Sequence, residues 1–381
     1  MERWLSVFGL LFLFISCEKN KINIEESEYL YFQTSTEINQ YFGLPVHNQI
    51  LVTPFGNLAK ATANGYSFDM DLNQIDEIPI CGNLVNFQSE VISTQQNNLA
   101  FFISGLKVNG VYSNRFKLIS RLGSLIYELK IPTQQKVEVT SLVETEENHY
   151  WLVGRIFNPA LQNFDYLIIH VDRFKNNYEL TTMVAPENEG FSNIIFNGAE
   201  LIAYGYQQII GEETRNLSLF KLDLNLNKLG HAIFNFHGYQ EAQDLLLLPN
   251  NALVITAHSS ETNPLHNILA MKLNSNFEVI WKKEIGEERH EGPESAILDS
   301  YGNIVIAGRT NSYGADYQKA ILVKISTDGN LISTYNFDNQ KDTYINSLFE
   351  LGHNYYLVGR SIDANGKKEL VAIKHHTAAD W

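Results

Sequence analysis

Short apolar runs and shorter alternating segments, bounded by turn residues, follow one another along this chain as β-strands do. No stretch keeps a helical period. One strand pattern recurs. Its clearest copy is Tyr150-Trp151-Leu152-Val153-Gly154-Arg155, echoed by Asn303 to Arg309 and by Tyr355 to Arg360, with weaker copies at Leu99 to Gly105, Leu201 to Tyr206 and Leu253 to His258. The small residues Gly105, Gly154, Gly205, Ala257, Gly308 and Gly359 lie 49, 51, 52, 51 and 51 positions apart. A fixed period of this length marks an array of repeated units.

A second marker keeps the same spacing. Lys117, His170, Lys221, Lys272, Lys324 and Lys374 each sit near the end of an apolar segment, at steps of 53, 51, 51, 52 and 50. Turns such as Asn274 to Asn276 and Asp328-Gly329-Asn330 introduce a third extended segment. A fourth opens the following unit, at Val139 to Val143, Ser192 to Phe196, Ala242 to Leu247, Glu294 to Leu298 and Tyr344 to Phe349. Four antiparallel strands per unit predict an all-β chain folded as a β-propeller. Six units are marked from Gln88 onward, and the last lacks its outer strand. Gln49 to Thr53, Tyr66 to Met70 and Glu77 to Ile80 supply strands for a divergent first blade, and Glu28 to Phe32 a strand to complete the last. The expected count is therefore seven blades closed by an N-terminal strand, with six or eight as the alternatives.

The best copy runs from Trp281-Lys282-Lys283 through Gly286, Glu294-Ser295-Ala296, Gly302-Asn303, Ile304 to Thr310, Ser312-Tyr313-Gly314, Asp316, Leu322 to Ile325 and Gly329-Asn330. It resembles the propeller repeat of secreted proteins and lipoproteins of Bacteroidetes type. The turn with Trp281 and Gly286 is similar, more weakly, to the tryptophan-docking repeat of quinoprotein-like propeller lipoproteins. Both resemblances imply a fold and an extracytoplasmic setting, and neither implies a common reaction.

The N-terminus supports that setting. Met1-Glu2-Arg3 precedes an apolar run from Trp4 to Ile15 that is shorter than the roughly 20 residues of a membrane span, and polar sequence begins at Glu18. Phe14-Ile15-Ser16-Cys17 resembles a lipobox, so residues 1–17 are expected to be a lipoprotein signal with Cys17 the lipidated residue. Residues 18–27 then form a polar tether and residues 28–381 one propeller domain, held at the bacterial outer membrane by acyl chains. With Cys17 acylated, Cys81 has no partner for a disulfide. Lys plus Arg number 28 and Asp plus Glu 43, for a net charge of −15. That charge disfavours phosphate backbones, so no nucleic-acid partner is expected.

Candidate chemistry is sparse. No phosphate-binding loop, nucleophile elbow or dinucleotide motif is present, His375-His376 point opposite ways on a strand, and Asp69 and Asp71 lack an oxygen-rich loop. No metal site, cofactor or catalytic residue is expected. Just past the small-residue markers stand Leu106, Arg155, Tyr206, His258, Arg309 and Arg360, with Glu138, Glu189, Glu241, Glu294 and Asp342 near the starts of first strands. One reading makes Arg155, Tyr206, His258, Arg309 and Arg360 a ligand-face ring for an anion such as a carboxylated glycan. The other pairs each arginine with an acidic residue of a neighbouring blade as a packing joint, and because the pattern follows the repeat, that reading is favoured. The expected function is a lipid-anchored binding or scaffold protein with a protein or glycan partner. The alternatives are a glycan-processing enzyme and an accessory subunit of an envelope assembly or uptake complex.

Overall fold

A computed structural model describes residues 20–24, 27–32, 40–46, 49–58, 63–81, 85–87, 91–105, 107–209, 214–236, 238–261, 265–287, 289–312 and 317–376. Residues 1–17, with the expected lipidation site Cys17, lie outside them, as does Leu106. The described residues contain strands and turns and no helix. They form seven four-stranded antiparallel blades whose strands, A to D, run outward from a central channel. Blades 3 to 6 are the most regular. Blade 3 is Val137–Glu144, His149–Asn158, Asn163–Asp172 and Asn177–Met183. Blade 4 is Asn188–Phe196, Leu201–Gln208, Asn216–Leu222 and Lys228–Phe234. Blade 5 is Gln240–Leu247, Leu253–Ser259, Asn267–Leu273 and Val279–Ile285. Blade 6 is Glu291–Leu298, Asn303–Thr310, Lys319–Ser326 and Leu331–Phe337.

Blade 7 contains Asp342–Leu351, Asn354–Ile362 and Lys368–His376, and its outer strand is Ser27–Phe32 from the other end of the chain. This is the closure expected from Glu28 to Phe32, and it ties the termini together through a ladder and a buried hydrogen bond of 2.8 Å between Ser27 and His375. Within the stretch read as a tether, Asn20–Ile24 adds a further strand against Ser27–Phe32.

Blade 1 is Gln40–Val46, Gln49–Leu58, Ala63–Asp69 and Gln74–Cys81. The three strands foreseen there are present. The inner one, Gln40–Val46, has Gly43 and Pro45 at its centre, both poor strand formers, which hid it from the pattern. Gly43 is required by proximity, since a Cβ there would lie 2.6 Å from the Val358 side chain. In blade 2 strand A is split into Val85–Phe87 and Ile92–Ser93, followed by Leu99–Ser104, Val111–Ile119 and Leu125–Thr133. Val85–Phe87 also pairs with the far end of Gln49–Leu58, so blades 1 and 2 share one continuous sheet.

The core lies between blades. Apolar clusters join blades 2 and 3, 3 and 4, 4 and 5, 5 and 6, and 6 and 7, and another closes the ring from blade 7 through blade 1 to blade 2. Each inner strand B and C is therefore buried on both faces and reads as a nearly continuous apolar run, whereas strand D alternates.

Both sequence markers acquire physical causes. Strand A carries a β-bulge in blades 3 to 7, which pushes a carbonyl toward the marker position of strand B. A Cβ on Gly154, Gly205, Gly308 or Gly359 would meet that carbonyl oxygen at 1.9 to 2.1 Å. From blade 4 onward the basic marker is a clasp between blades, whereas Lys117 pairs with Glu128 and His170 stacks on Trp151 within their own blades. Lys221 and Lys272 donate to the carbonyls of Ser275 and Thr327 in the following blade, and Lys324 reaches Tyr355. Trp281 likewise donates to Thr327 at 3.0 Å and lies over Gly329, whose φ of 84° and missing Cβ leave room for the indole.

Candidate functional site

In every regular blade the end of strand B and the start of strand A share one face of the disk. Register places Arg155, Tyr206, His258, Arg309 and Arg360 opposite Glu138, Gly190, Glu241, Gly292 and Tyr344. All five sequence candidates thus lie on the same face, in one row, but their surroundings divide them.

The sector at blades 3 and 4 is closed. Arg155 donates from Nε and Nη2 to Oε2 of Glu138 at 2.6 and 2.5 Å, and from Nη1 to the Tyr206 hydroxyl at 2.8 Å. Its guanidinium also stacks 4.4 Å from the Phe164 ring centre. Burial opposes ionisation of Glu138, but Lys136 and Arg155 outweigh it and hold the carboxyl below its ordinary range. This corrects one expectation. The arginine pairs with an acid of its own blade, and its contact to the next blade is a phenol. Arg309 repeats the rule, bonding Glu294 of its own blade at 3.1 Å. The cause is local, because antiparallel pairing sets the end of strand B directly against the start of strand A.

The sector from blade 4 to blade 7 is of another kind. Arg215 stacks between Tyr206 and Tyr239, at 4.5 and 5.2 Å, and reaches Glu241 at 3.5 Å. Beyond Tyr239 come three imidazoles. His258, His266 and His290 have ring centres 6.3, 5.9 and 5.2 Å apart, and Tyr239 meets His266 edge-on at 5.5 Å. His258 is only 3% exposed and fills the space over Gly292, where any Cβ would fall 1.9 Å from its ring. His290 donates its Nδ1 proton to the carbonyl of Leu265. Arg360 completes the row, stacked 4.6 Å over Tyr344.

Burial sets the charges here. It pushes His258 down to about 3, with Arg309, His290 and His266 adding to the effect. His266 and His290 are also lowered by burial and by Arg309. Burial pushes the Glu294 carboxyl up to about 7, with Arg309 and Arg360 opposing and Glu241 assisting. Glu189 rises to about 7 by burial despite a hydrogen bond from Gln207. Asp342 is used locally, accepting from the Gln318 backbone at 2.7 Å.

His266, His290, Tyr239 and Arg215 were not legible as site residues, because they stand in or beside the B-to-C and D-to-A connections, outside both markers. The signal that finds them is topological: those connections lie on the same face as the row. On that face an open cleft of about 600 Å³ also lies between blades 2 and 3, lined in part by Lys107, Tyr112, Gln134, Gln135 and Phe157. The remaining sequence candidates are structural. His375 is buried and His376 exposed, as strand alternation requires. Asp69 ends a strand and caps the turn through Asn73, while Asp71 sits in the turn itself and pairs with Lys374 at 2.8 Å. No group of side chains among the described residues is arranged to hold a metal ion.

A second repeat-register feature surrounds the channel, a cavity of about 420 Å³ to which all seven blades contribute. Ser141, Asn193, Asp244, Ser295 and Ser347, at steps of 52, 51, 51 and 52, follow the strand A bulges. Asn193 donates to Asp244 at 2.9 Å, the Ala296 amide donates to Asp244 at 2.8 Å, the Leu348 amide to Ser295 at 3.2 Å and the Gly43 amide to Ser347 at 2.7 Å. The belt links blades 4, 5, 6, 7 and 1.

No family model and no curated protein matches this sequence. Solved structures do resemble it. The periplasmic gluconolactonase PpgL of Pseudomonas aeruginosa aligns with a TM-score of 0.52 and 14% identity, over 81% of this chain and 91% of that one. A candidate 6-phosphogluconolactonase of Bacteroides fragilis aligns with a TM-score of 0.54 and 9% identity, over 85% and 94%. The polysaccharide lyase Uly1 gives 0.54 and 8%, over 88% and 89%. At these identities the likeness is one of fold, a propeller.

Proposed function

We propose that this protein is a lipid-anchored, extracytoplasmic propeller that binds an anionic ligand, a carboxylated glycan, on the face that carries the arginine and histidine row. One observation carries the reading. From blade 4 to blade 7 the repeat's arginine–carboxylate joint, kept as Arg309–Glu294, is surrounded by a cluster of imidazoles, guanidinium groups and phenols that blade 3 lacks. Structural joints repeat, whereas a site breaks the repeat's symmetry. Guanidinium groups recognise carboxylates, and Tyr206, Tyr239 and Tyr344 hold those of Arg215 and Arg360 in place by stacking. The cleft between blades 2 and 3 gives a chain-like ligand further room on the same face.

The full-length protein should bind trigalacturonate and not the neutral sugar maltotriose in titration calorimetry, and Arg309→Met should weaken binding at least about tenfold. Equal binding of the two sugars would discard the anion reading. The anchor is tested separately: radiolabelled palmitate should enter the wild-type protein in bacteria, and Cys17→Ala should abolish incorporation. Label that persists in the variant would remove Cys17 from the proposal.

A second reading, an enzyme acting on a carboxylated sugar, is favoured by one feature: the Glu294 carboxyl, raised to about 7, shares a cluster with neutral imidazoles. Such groups suit proton transfer near neutral pH. It predicts that trigalacturonate is converted to shorter or unsaturated products, seen by mass spectrometry, whereas a binding protein returns it unchanged.

A further inference from the structure

Arg309 is the hub of the asymmetric sector. It is paired with Glu294 at 3.1 Å, and its field reaches His258, His266 and His290. Two polar atoms of the cluster, Nε of Arg309 and Nδ1 of His266, are buried without a hydrogen-bond partner. Unsatisfied buried donors and acceptors are costly, and a ligand that supplies the missing partners relieves that cost. Meanwhile Glu294 occupies the guanidinium that an incoming anion needs. The pair is therefore both the recognition group and its own competitor.

Resting on the anion-binding reading above, we propose that Arg309 exchanges Glu294 for a carboxylate of the ligand, and that Glu294 takes up one proton from solvent as it is displaced. One ion pair opens and one forms, the proton stays on Glu294, and no covalent bond of the ligand changes. The groups around the exchange are set by elements of three blades. Glu241 comes from strand A of blade 5, His258 from its strand B and His266 from its B-to-C connection. His290 and Glu291 come from the entry to blade 6, and Arg360 from strand B of blade 7. Glu291 is committed elsewhere, accepting from Thr310 at 2.7 Å and from the Glu287 amide at 3.0 Å.

The direction of the coupling follows from linkage. Glu294 already stands near neutrality, held up by burial and Glu241 and pulled down by Arg309 and Arg360. A bound carboxylate cancels the pull of Arg309 and adds a negative charge, so the proton is held more tightly in the complex than in the free protein. Affinity must then fall as pH rises above about 7, approaching tenfold per pH unit. At lower pH the half-buried His266 and His290, both held down by burial and Arg309, strengthen binding further as they protonate, because an anion on Arg309 eases their protonation.

Titration calorimetry of the full-length protein with trigalacturonate, in phosphate and in Tris buffer, reads the exchange directly through the dependence of heat on buffer ionisation. Between about pH 7.5 and about pH 8.5 the dissociation constant should rise close to tenfold with uptake approaching one proton. Glu294→Gln should bind at the higher pH about as tightly as the wild type does near neutrality, without proton uptake. Wild-type binding with no proton uptake and no pH slope would overturn the exchange and leave the anion reading standing. A slope kept in full by Glu294→Gln would overturn it by placing the proton elsewhere. Absence of binding even near pH 6 would overturn both. The wild-type proton count decides the matter alone if the variant does not fold.

Discussion

Gly154→Ala is expected to lower stability by about 3 kcal/mol or more, a large effect for one methyl group. The added Cβ would lie 1.9 Å from the Glu138 carbonyl oxygen and 2.8 Å from the Val139 Cα, both backbone atoms. A flexible side chain can turn aside, but a backbone held in a ladder cannot. Strands A and B of blade 3 would have to part at the bulge, and Arg155 and Glu138 with them. Two comparisons isolate the cause. Blade 5 carries Ala257 at the same position, fully buried, so Ala257→Gly should cost only about 0.5–1 kcal/mol. Gly366→Ala meets no atom within 4 Å and should cost about 1 kcal/mol from its φ of 77° alone. Urea-unfolding midpoints at constant slope give the ranking, and near-equal losses at Gly154 and Gly366 would refute the steric argument.

Asp244→Ala is expected to cost roughly 3–5 kcal/mol, because it orphans several donors at once. The carboxyl accepts from Asn193 Nδ2 and the amides of Leu245 and Ala296, and it bonds the Ser295 side chain. These groups belong to three blades, so the loss should weaken the ring at its inner rim more than any one sheet. Burial raises the carboxyl's pKa in spite of its donors, although the residue is half-buried at the wall of the channel. Asp244→Asn keeps one carbonyl oxygen and should fall between alanine and wild type. Hydrogen exchange at the Leu245 and Ala296 amides should rise in the alanine variant. Unchanged protection there, with unchanged stability, would show that water in the channel replaces the carboxyl.

The strand pattern and the period of the markers were sufficient for the blade architecture, because each blade must bury both faces of its inner strands and repeats the same residue types to do so. The closing strand was legible for a related reason: a last blade with three strands leaves an open edge, and Glu28 to Phe32 had the composition to cover it. The inner strand of blade 1 was not, since Gly43 is dictated by contact with Val358 in another blade and Pro45 breaks the strand propensity. At the site, Arg155 and His258 occupy the same repeat position and look alike in the sequence as polar tips. Glu138 and Tyr206 make the first a joint. Gly292, His266, His290 and Arg309 make the second part of a cluster.

What the sequence determined by itself is therefore what repeats: the strands of the marked blades, their order, and the positions of the small and basic markers. These follow from local pairing and nearest-neighbour packing, which act the same way in each unit. Only the tertiary structure decided which tips share a neighbourhood. His258, His266, His290, Glu294 and Arg309 come from separate strands and connections of two blades, and their charge states depend on burial. Burial belongs to the closed ring rather than to any single repeat, and so does the difference between the closed sector around Arg155 and the one around Arg309.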